Sequence, residues 1–248
     1  MAKVIVIMPA YNAEKTLEKT FRDIPSGSAA EVVVGDDCSK DRTVEIAKKL
    51  GIRVLKTPRN LGYGGNQKML YREALKLGAD VIVMVHPDWQ YDATKVPDMA
   101  APIIAGKVDL MMGSRVLGGS RGTLAGGMPI YKLISNKFLT WVENLVLGLN
   151  LSEYHTGFRA FSRKLLETIP FEKNSDDFVF DTEVLAEAAA FGFKAGEVSV
   201  PCRYFAEASE INFWRSTIYG LSTLWVCGKY LLHKIGFKSP QFSAKIPA

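Results

Sequence analysis

The chain has 248 residues, of which 48% are hydrophobic and 23% charged, with a formal net charge of +5. That balance excludes a disordered or fibrous chain and suits one large α/β domain with a C-terminal extension. Mild positive charge favours an anionic substrate or a membrane surface, and without a Lys/Arg run or aromatic–basic module it argues against nucleic acid.

Residues 4–8 predict a first strand, an apolar run too short for a signal-peptide core. Asn12 then offers a cap for a helix over 13–22, with Leu17 and Phe21 among its apolar positions. The run 32–34 predicts a buried parallel strand that enters Asp36-Asp37-Cys38-Ser39-Lys40-Asp41-Arg42-Thr43. A helix over 44–50 follows and stops at Gly51, with Asp41 or Ser39 as candidate caps. Residues 52–55 read as a third strand, and Asn60-Leu61-Gly62-Tyr63-Gly64-Gly65 opens a helix that runs through Leu77. A fourth strand covers 81–85, and 110–112 end a fifth before Gly113-Ser114-Arg115. This alternation predicts a mainly parallel sheet with helices on both faces. The glycine-rich stretch 118–127 reads as a mobile loop, and a further helix is expected over 182–191.

Two later stretches, 128–149 and 211–237, are apolar at near-helical spacing with basic residues interspersed. They either pack on the sheet and each other or lie in a membrane interface. The expected organisation is a domain over 1–210 followed by an amphipathic helix and tail over 211–248, membrane-interfacial or dimer-forming. No stretch reaches the roughly 18–20 uninterrupted apolar residues of a spanning helix. Cys38, Cys202 and Cys227, odd in number and without Cys-x-x-Cys spacing, suggest a reducing compartment.

A strand that runs into acids and then a helix places those acids at the carboxyl edge of a sheet, where α/β proteins bind ligands. Met8-Pro9-Ala10-Tyr11-Asn12 sits beside that edge, so Tyr11 can stack on a base while Asp37 accepts a base N–H; a simple capped turn is the alternative. The 59–66 loop lacks the third glycine of a dinucleotide fingerprint, and no GxxxxGK[ST] occurs, which argues against a dehydrogenase or P-loop enzyme. In His86-Pro87-Asp88-Trp89-Gln90-Tyr91-Asp92, an acid at a strand end with a second ligand two residues away can hold a divalent cation against a diphosphate. Alternatively Asp88 and Asp92 cap the turn near Thr94. His155 and His233 stand alone and read as structural or surface residues.

Together these segments resemble the family-2 glycosyltransferases, especially the polyprenyl-phosphate (dolichyl-phosphate mannose synthase-like) branch, over roughly residues 3–210. The likeness continues through Gly113-Ser114-Arg115, Thr156-Gly157-Phe158-Arg159-Ala160-Phe161 and Phe180-Asp181-Thr182-Glu183. It implies a GT-A fold, a nucleotide-sugar donor linked to UDP or GDP, inversion, and a polyprenyl phosphate acceptor at the cytoplasmic membrane face. Carried over by position, Pro9, Tyr11, Asn12, Asp37 and Gly62 would bind the nucleotide, with Asp36 in support. Asp88 would be the second acid of the DxD metal motif, Gln90 a further ligand, and Mn2+ or Mg2+ the cation.

The first acid of that motif falls on His86, which removes one negative charge and shifts preference toward Mn2+. It also leaves open a protein that binds sugar nucleotides without turnover. Residues 204–209 depart from the Arg before Gly-x-Ser found in relatives. Arg115, Lys132 and Ser135 are the candidates for the acceptor phosphate. Asp181 is the candidate base should the acceptor instead be a hydroxyl of a saccharide or protein.

Overall fold

The structure, a computed structural model, describes residues 2–119, 127–203 and 213–242. The stretches 120–126 and 204–212, and with them most of the expected mobile loop and the segment that departs from relatives, lie outside the described residues.

Seven strands form one sheet in the order β3-β2-β1-β4-β6-β5-β7. The first four, β1 (Val4–Ala10), β2 (Glu31–Asp36), β3 (Arg53–Lys56) and β4 (Val81–Met84), pair in parallel. They are linked through α1 (Leu17–Asp23), α2 (Thr43–Lys49) and α3 (Tyr63–Lys76). After β4, α4 (Val96–Ile104) leads to β5 (Leu110–Ser114), then α5 (Ile130–Leu147), β6 (Arg159–Ser162) and α6 (Arg163–Thr168). The last elements are α7 (Phe180–Ala190), β7 (Ala195–Ser199) and α8 (Phe213–Lys234).

Along β1 both faces are buried, and the side chains alternate between two cores. Ile5 and Ile7 join the cluster under α3 and α7, whereas Val4, Val6 and Met8 join the one under α1 and α4. The C-terminal helix belongs to the first core, because Val226 and Tyr230 are buried in it.

The sheet is mainly parallel as expected, but two strands were not anticipated and one helix boundary needs correction. β6 is antiparallel, wedged between β4 and β5, and β7 adds to the far edge in parallel with β5. Neither shows in the pattern, since β6 is four residues long and begins with a charged residue that proves to be buried. The first helix starts at Leu17, not at residue 13, because Asn12 is committed elsewhere. Its Oδ1 accepts from the Lys40 N–H at 2.9 Å and its own N–H donates to Ser39 Oγ at 2.9 Å.

α5 and α8 pack on each other but turn apolar stripes outward. Ile130, Ile134, Phe138, Trp141 and Leu145 on α5, and Trp214, Ile218, Leu221 and Trp225 on α8, are each more than half exposed. The spacing of three and four residues puts each set on one face of its helix. Among the described residues, no helix is long and apolar enough to cross a membrane.

Candidate active site

The carboxyl ends of β1, β2 and β4 open into a cavity of about 1320 Å³. That exceeds the usual small-molecule pocket and leaves room for two substrates. Of the residues singled out from the sequence, Pro9, Tyr11, Asn12, Asp37, Gly62, His86, Asp88, Gln90, Arg115, Lys132, Ser135 and Asp181 all line it. Asp36 does not; it is fully buried behind the wall, with Oδ2 accepting from the Ser39 N–H at 3.3 Å.

At one end, strand register sets the geometry. Ala10 pairs with Asp36, and the Asp37 N–H donates to the Ala10 carbonyl at 2.9 Å, so the chain leaves β1 beside the acids. Asp37 then holds the glycine-rich loop. Its Oδ1 accepts from the Leu61 N–H at 2.6 Å and its Oδ2 from the Gly62 N–H at 3.1 Å. Gly62 has φ +84°, and a Cβ there would lie 2.6 Å from the Asp176 carbonyl oxygen, so only glycine fits. Tyr11 is 52% exposed, free to lie over a planar ligand. Ser39 is taken by Asn12, and it is Asp41 that ties the start of α2, accepting from the Thr43 N–H at 3.0 Å.

The turn that follows β4 is tightly built. Trp89 sits at φ +59°, a left-handed conformation that costs a non-glycine residue about 1–2 kcal/mol. It is held from outside: the indole N–H donates to Asp23 Oδ2 at 2.8 Å, and the Arg203 guanidinium stacks 4.5 Å from the ring. Asp88 Oδ1 accepts from the Gln90 N–H at 3.0 Å, while Asp92, rather than Asp88, caps the turn at Thr94.

Burial raises the Asp88 carboxyl above its usual range, with His86 opposing. Burial lowers the His86 imidazole, with the carboxylates of Asp88 and Asp181 opposing. Folding therefore leaves a carboxylate short of positive charge beside an imidazole held neutral, a donor set that fits a divalent cation. Among the described residues no group of three His, Cys, Asp or Glu forms a metal cage. The remaining ligands would have to come from the phosphates of a substrate and from water, the usual arrangement for Mg2+.

Behind this turn runs a network that sequence reading largely missed. The Tyr63 hydroxyl lies 3.2 Å from His86 Nε2 and donates to Asp181 Oδ2 at 2.8 Å. The same oxygen lies 3.1 Å from Arg159 Nη2, and Oδ1 accepts from Gln67 Nε2 at 3.3 Å. His86 is pressed against Gly157, where a Cβ would lie 2.5 Å from its Cδ2. A phenol inside a glycine-rich loop next to a histidine at a strand end was the available signal for Tyr63.

On the opposite wall Arg115 forms a buried ion pair with Glu153, which accepts from its side chain and also from its backbone N–H at 2.7 Å. A further bond runs from Arg115 Nη2 to the His155 carbonyl at 2.6 Å. Lys132 and Ser135 face the cavity from α5, and Gly220, Leu221 and Leu224 from α8.

The sequence profile of glycosyl transferase family 2 matches residues 5–169. Dolichyl-phosphate hexose transferase from Haloferax volcanii is 30% identical over 227 residues, which covers 90% of this chain and 92% of that one. UDP-N-acetylglucosamine–dolichyl-phosphate N-acetylglucosaminyltransferase from Methanococcus voltae is 25% identical over 218 residues, with coverage of 81% and 86%. Among solved structures, glucosyl-3-phosphoglycerate synthase from Mycobacterium tuberculosis, in complex with Mn2+, UDP and glucosyl-3-phosphoglycerate, superposes with a TM-score of 0.66. It is 20% identical, and the match covers 96% of this chain and 82% of that one.

Proposed function

Because the chain belongs to glycosyl transferase family 2 and has the GT-A fold, we propose that it transfers a sugar, with inversion, from a nucleotide-sugar donor to a polyprenyl phosphate at a membrane surface. One observation carries this reading. A single cavity runs from the acids Asp37 and Asp88 to Phe138, Leu139, Leu221 and Leu224, and so opens between the outward apolar stripes of α5 and α8. An acceptor with an anionic head and an apolar tail matches that continuity.

Charge supports the same occupant. Neither helix carries an exposed acid: the lone acid of α5, Glu143, is fully buried, and α8 has none, whereas Lys132, Lys137, Arg215 and Lys234 are distributed along them. Apolar stripes flanked by cations suit a bilayer with anionic headgroups. On this reading the 211–248 segment is an interfacial seat, and the protein is peripheral on the cytoplasmic face.

In the transfer, an oxygen of the acceptor phosphate attacks the anomeric carbon of the donor sugar. The bond from that carbon to the nucleoside diphosphate breaks, and its electron pair departs on the diphosphate. The nucleophile is already anionic, so no proton need move. Tyr11 lies over the nucleoside, Asp37 shapes its pocket by holding the glycine-rich loop, and Asp88, with His86 and Gln90, would hold a divalent cation. Such a cation, present as Mn2+ in the complex of the solved GT-A neighbour with UDP, would offset charge on the leaving diphosphate. Arg115, Lys132 and Ser135 orient the acceptor phosphate. Transfer to a hydroxyl would need a base, and Asp181 is poorly placed for that task, since both its oxygens already accept hydrogen bonds inside the protein.

The reading is tested by calorimetry of UDP- and GDP-sugars with Mn2+, with Mg2+ and with chelator. Metal-dependent binding of one nucleotide class, lost in Asp88→Ala, is expected, with the uridine class first on the strength of the methanococcal relative. No binding of either class under any metal condition overturns the donor assignment. Vesicle flotation separates a lipid seat, which requires anionic vesicles, from self-association through the stripes, which does not.

A further inference from the structure

A carboxylate buried between two apolar helices is costly unless something offsets it. Glu143 on the inner face of α5 is such a group, with a side chain 0% exposed. Its partner is His155, itself buried, whose Nε2 lies 2.9 Å from Glu143 Oε2 but too bent for a straight hydrogen bond. From the other helix, the Tyr219 hydroxyl meets His155 Nδ1 at 2.7 Å, and its ring stands edge-on to the imidazole at 5.4 Å. Burial raises the Tyr219 phenol, so a protonated hydroxyl meets the imidazole, while His155 Nε2 and Glu143 stay in close contact without a formed hydrogen bond.

His155 thus joins both amphipathic helices to the cavity wall. It also passes that constraint on, because its backbone carbonyl accepts from Arg115 Nη2 at 2.6 Å. Glu153 supplies the counter-charge of Arg115, and the His155 carbonyl gives the guanidinium a second fixed direction. Glu143, His155 and Tyr219 do not themselves bond Asp37, Asp88 or the glycine-rich loop, although the Tyr219 hydroxyl also lies 3.5 Å from Thr182 Oγ1, next to Asp181.

We propose that His155, held between Glu143 and Tyr219, is a positioning residue that sets Arg115 for the acceptor phosphate, so that the seating of α5 and α8 adjusts acceptor binding and leaves donor binding alone. This rests on the lipid-phosphate reading above. The bent Glu143–His155 contact suits such coupling, since a small rotation of α5 changes its strength.

The test uses the full chain with polyprenyl phosphate in vesicles containing anionic lipid, and compares wild type with Glu143→Gln and Tyr219→Phe. A rise of about tenfold in KM for the polyprenyl phosphate is expected in each, the scale of one hydrogen bond to a charged network. Donor affinity by calorimetry should stay within about twofold. Tyr219→Phe, which removes one hydroxyl, carries the test if Glu143→Gln does not fold. Unchanged acceptor KM, or equal weakening of donor and acceptor, overturns the proposal while transfer by wild type keeps the functional reading. Failure of wild type to use any polyprenyl phosphate overturns both.

Discussion

Arg159 offers the sharpest test of how the site is built. It is 1% exposed at the start of β6, and its guanidinium is fully committed. Nε donates to the Thr156 carbonyl at 2.7 Å, Nη1 to the Asp181 carbonyl at 3.0 Å and Nη2 to the Tyr154 carbonyl at 3.0 Å. Burial pulls its pKa down, but the Asp181 carboxylate and the surrounding phenols more than offset this, so it stays charged. Arg159→Met keeps volume and removes every donor. It leaves Asp181 buried without its cation, a change that costs about 3–5 kcal/mol in comparable buried pairs. For a chain of this length the melting temperature should fall by roughly 6–20 °C. Urea unfolding measures the loss, with an unchanged slope to confirm comparable states. Adding Asp181→Asn removes the stranded charge and should recover at least about 1 kcal/mol relative to additivity. A loss below about 1 kcal/mol in the single variant, or strict additivity in the pair, would refute the reasoning.

The turn that follows β4 and the residues packed on it yield three more expectations. Gly157→Ala places a Cβ 2.5 Å from His86 Cδ2, so the imidazole must move; stability should drop by about 1–3 kcal/mol and metal-dependent donor affinity should fall, read by thermal melting and calorimetry. The Asp88 carboxyl is raised in the fold by burial, so the ligand-free protein loses stability as pH rises through the carboxylate range. Asp88→Asn should therefore melt higher than wild type at neutral pH while losing metal-dependent binding, and a lower melting point contradicts the account. His86 is lowered by burial, so its contribution is full above about pH 6.5 and is lost as pH falls toward its folded value. His86→Asn should flatten that acid-side loss in urea midpoints measured across the window. An equally steep loss in the variant would contradict it.

Sequence and structure agree where chemistry and periodicity coincide. The apolar run into Asp36-Asp37 and the alternation through residue 112 locate the carboxyl edge of the sheet, and the cavity lies there. The short antiparallel β6 was illegible because its first residue, Arg159, is charged yet buried, so its strand pattern is broken by the very residue the site needs. Asn12 reads as a cap in isolation, but a contact across the sheet edge to Ser39 and Lys40 outcompetes the local one. The Glu143–His155–Tyr219 group joins residues far apart in the chain, and a lone histidine carries no spacing that would reveal it. Amphipathic spacing of α5 and α8 was legible, whereas the outward direction of their apolar stripes required the fold.

Whether the acceptor is a lipid phosphate is decided by product analysis. The purified protein would be incubated with a labelled nucleotide sugar, Mn2+ and polyprenyl phosphate in anionic vesicles, and the lipid fraction examined by mass spectrometry. One sugar joined to the polyprenyl phosphate through a phosphodiester is expected, with one nucleoside diphosphate released per product and none formed by Asp88→Ala. Label that stays out of the lipid fraction and appears instead on an added saccharide or protein hydroxyl would contradict it.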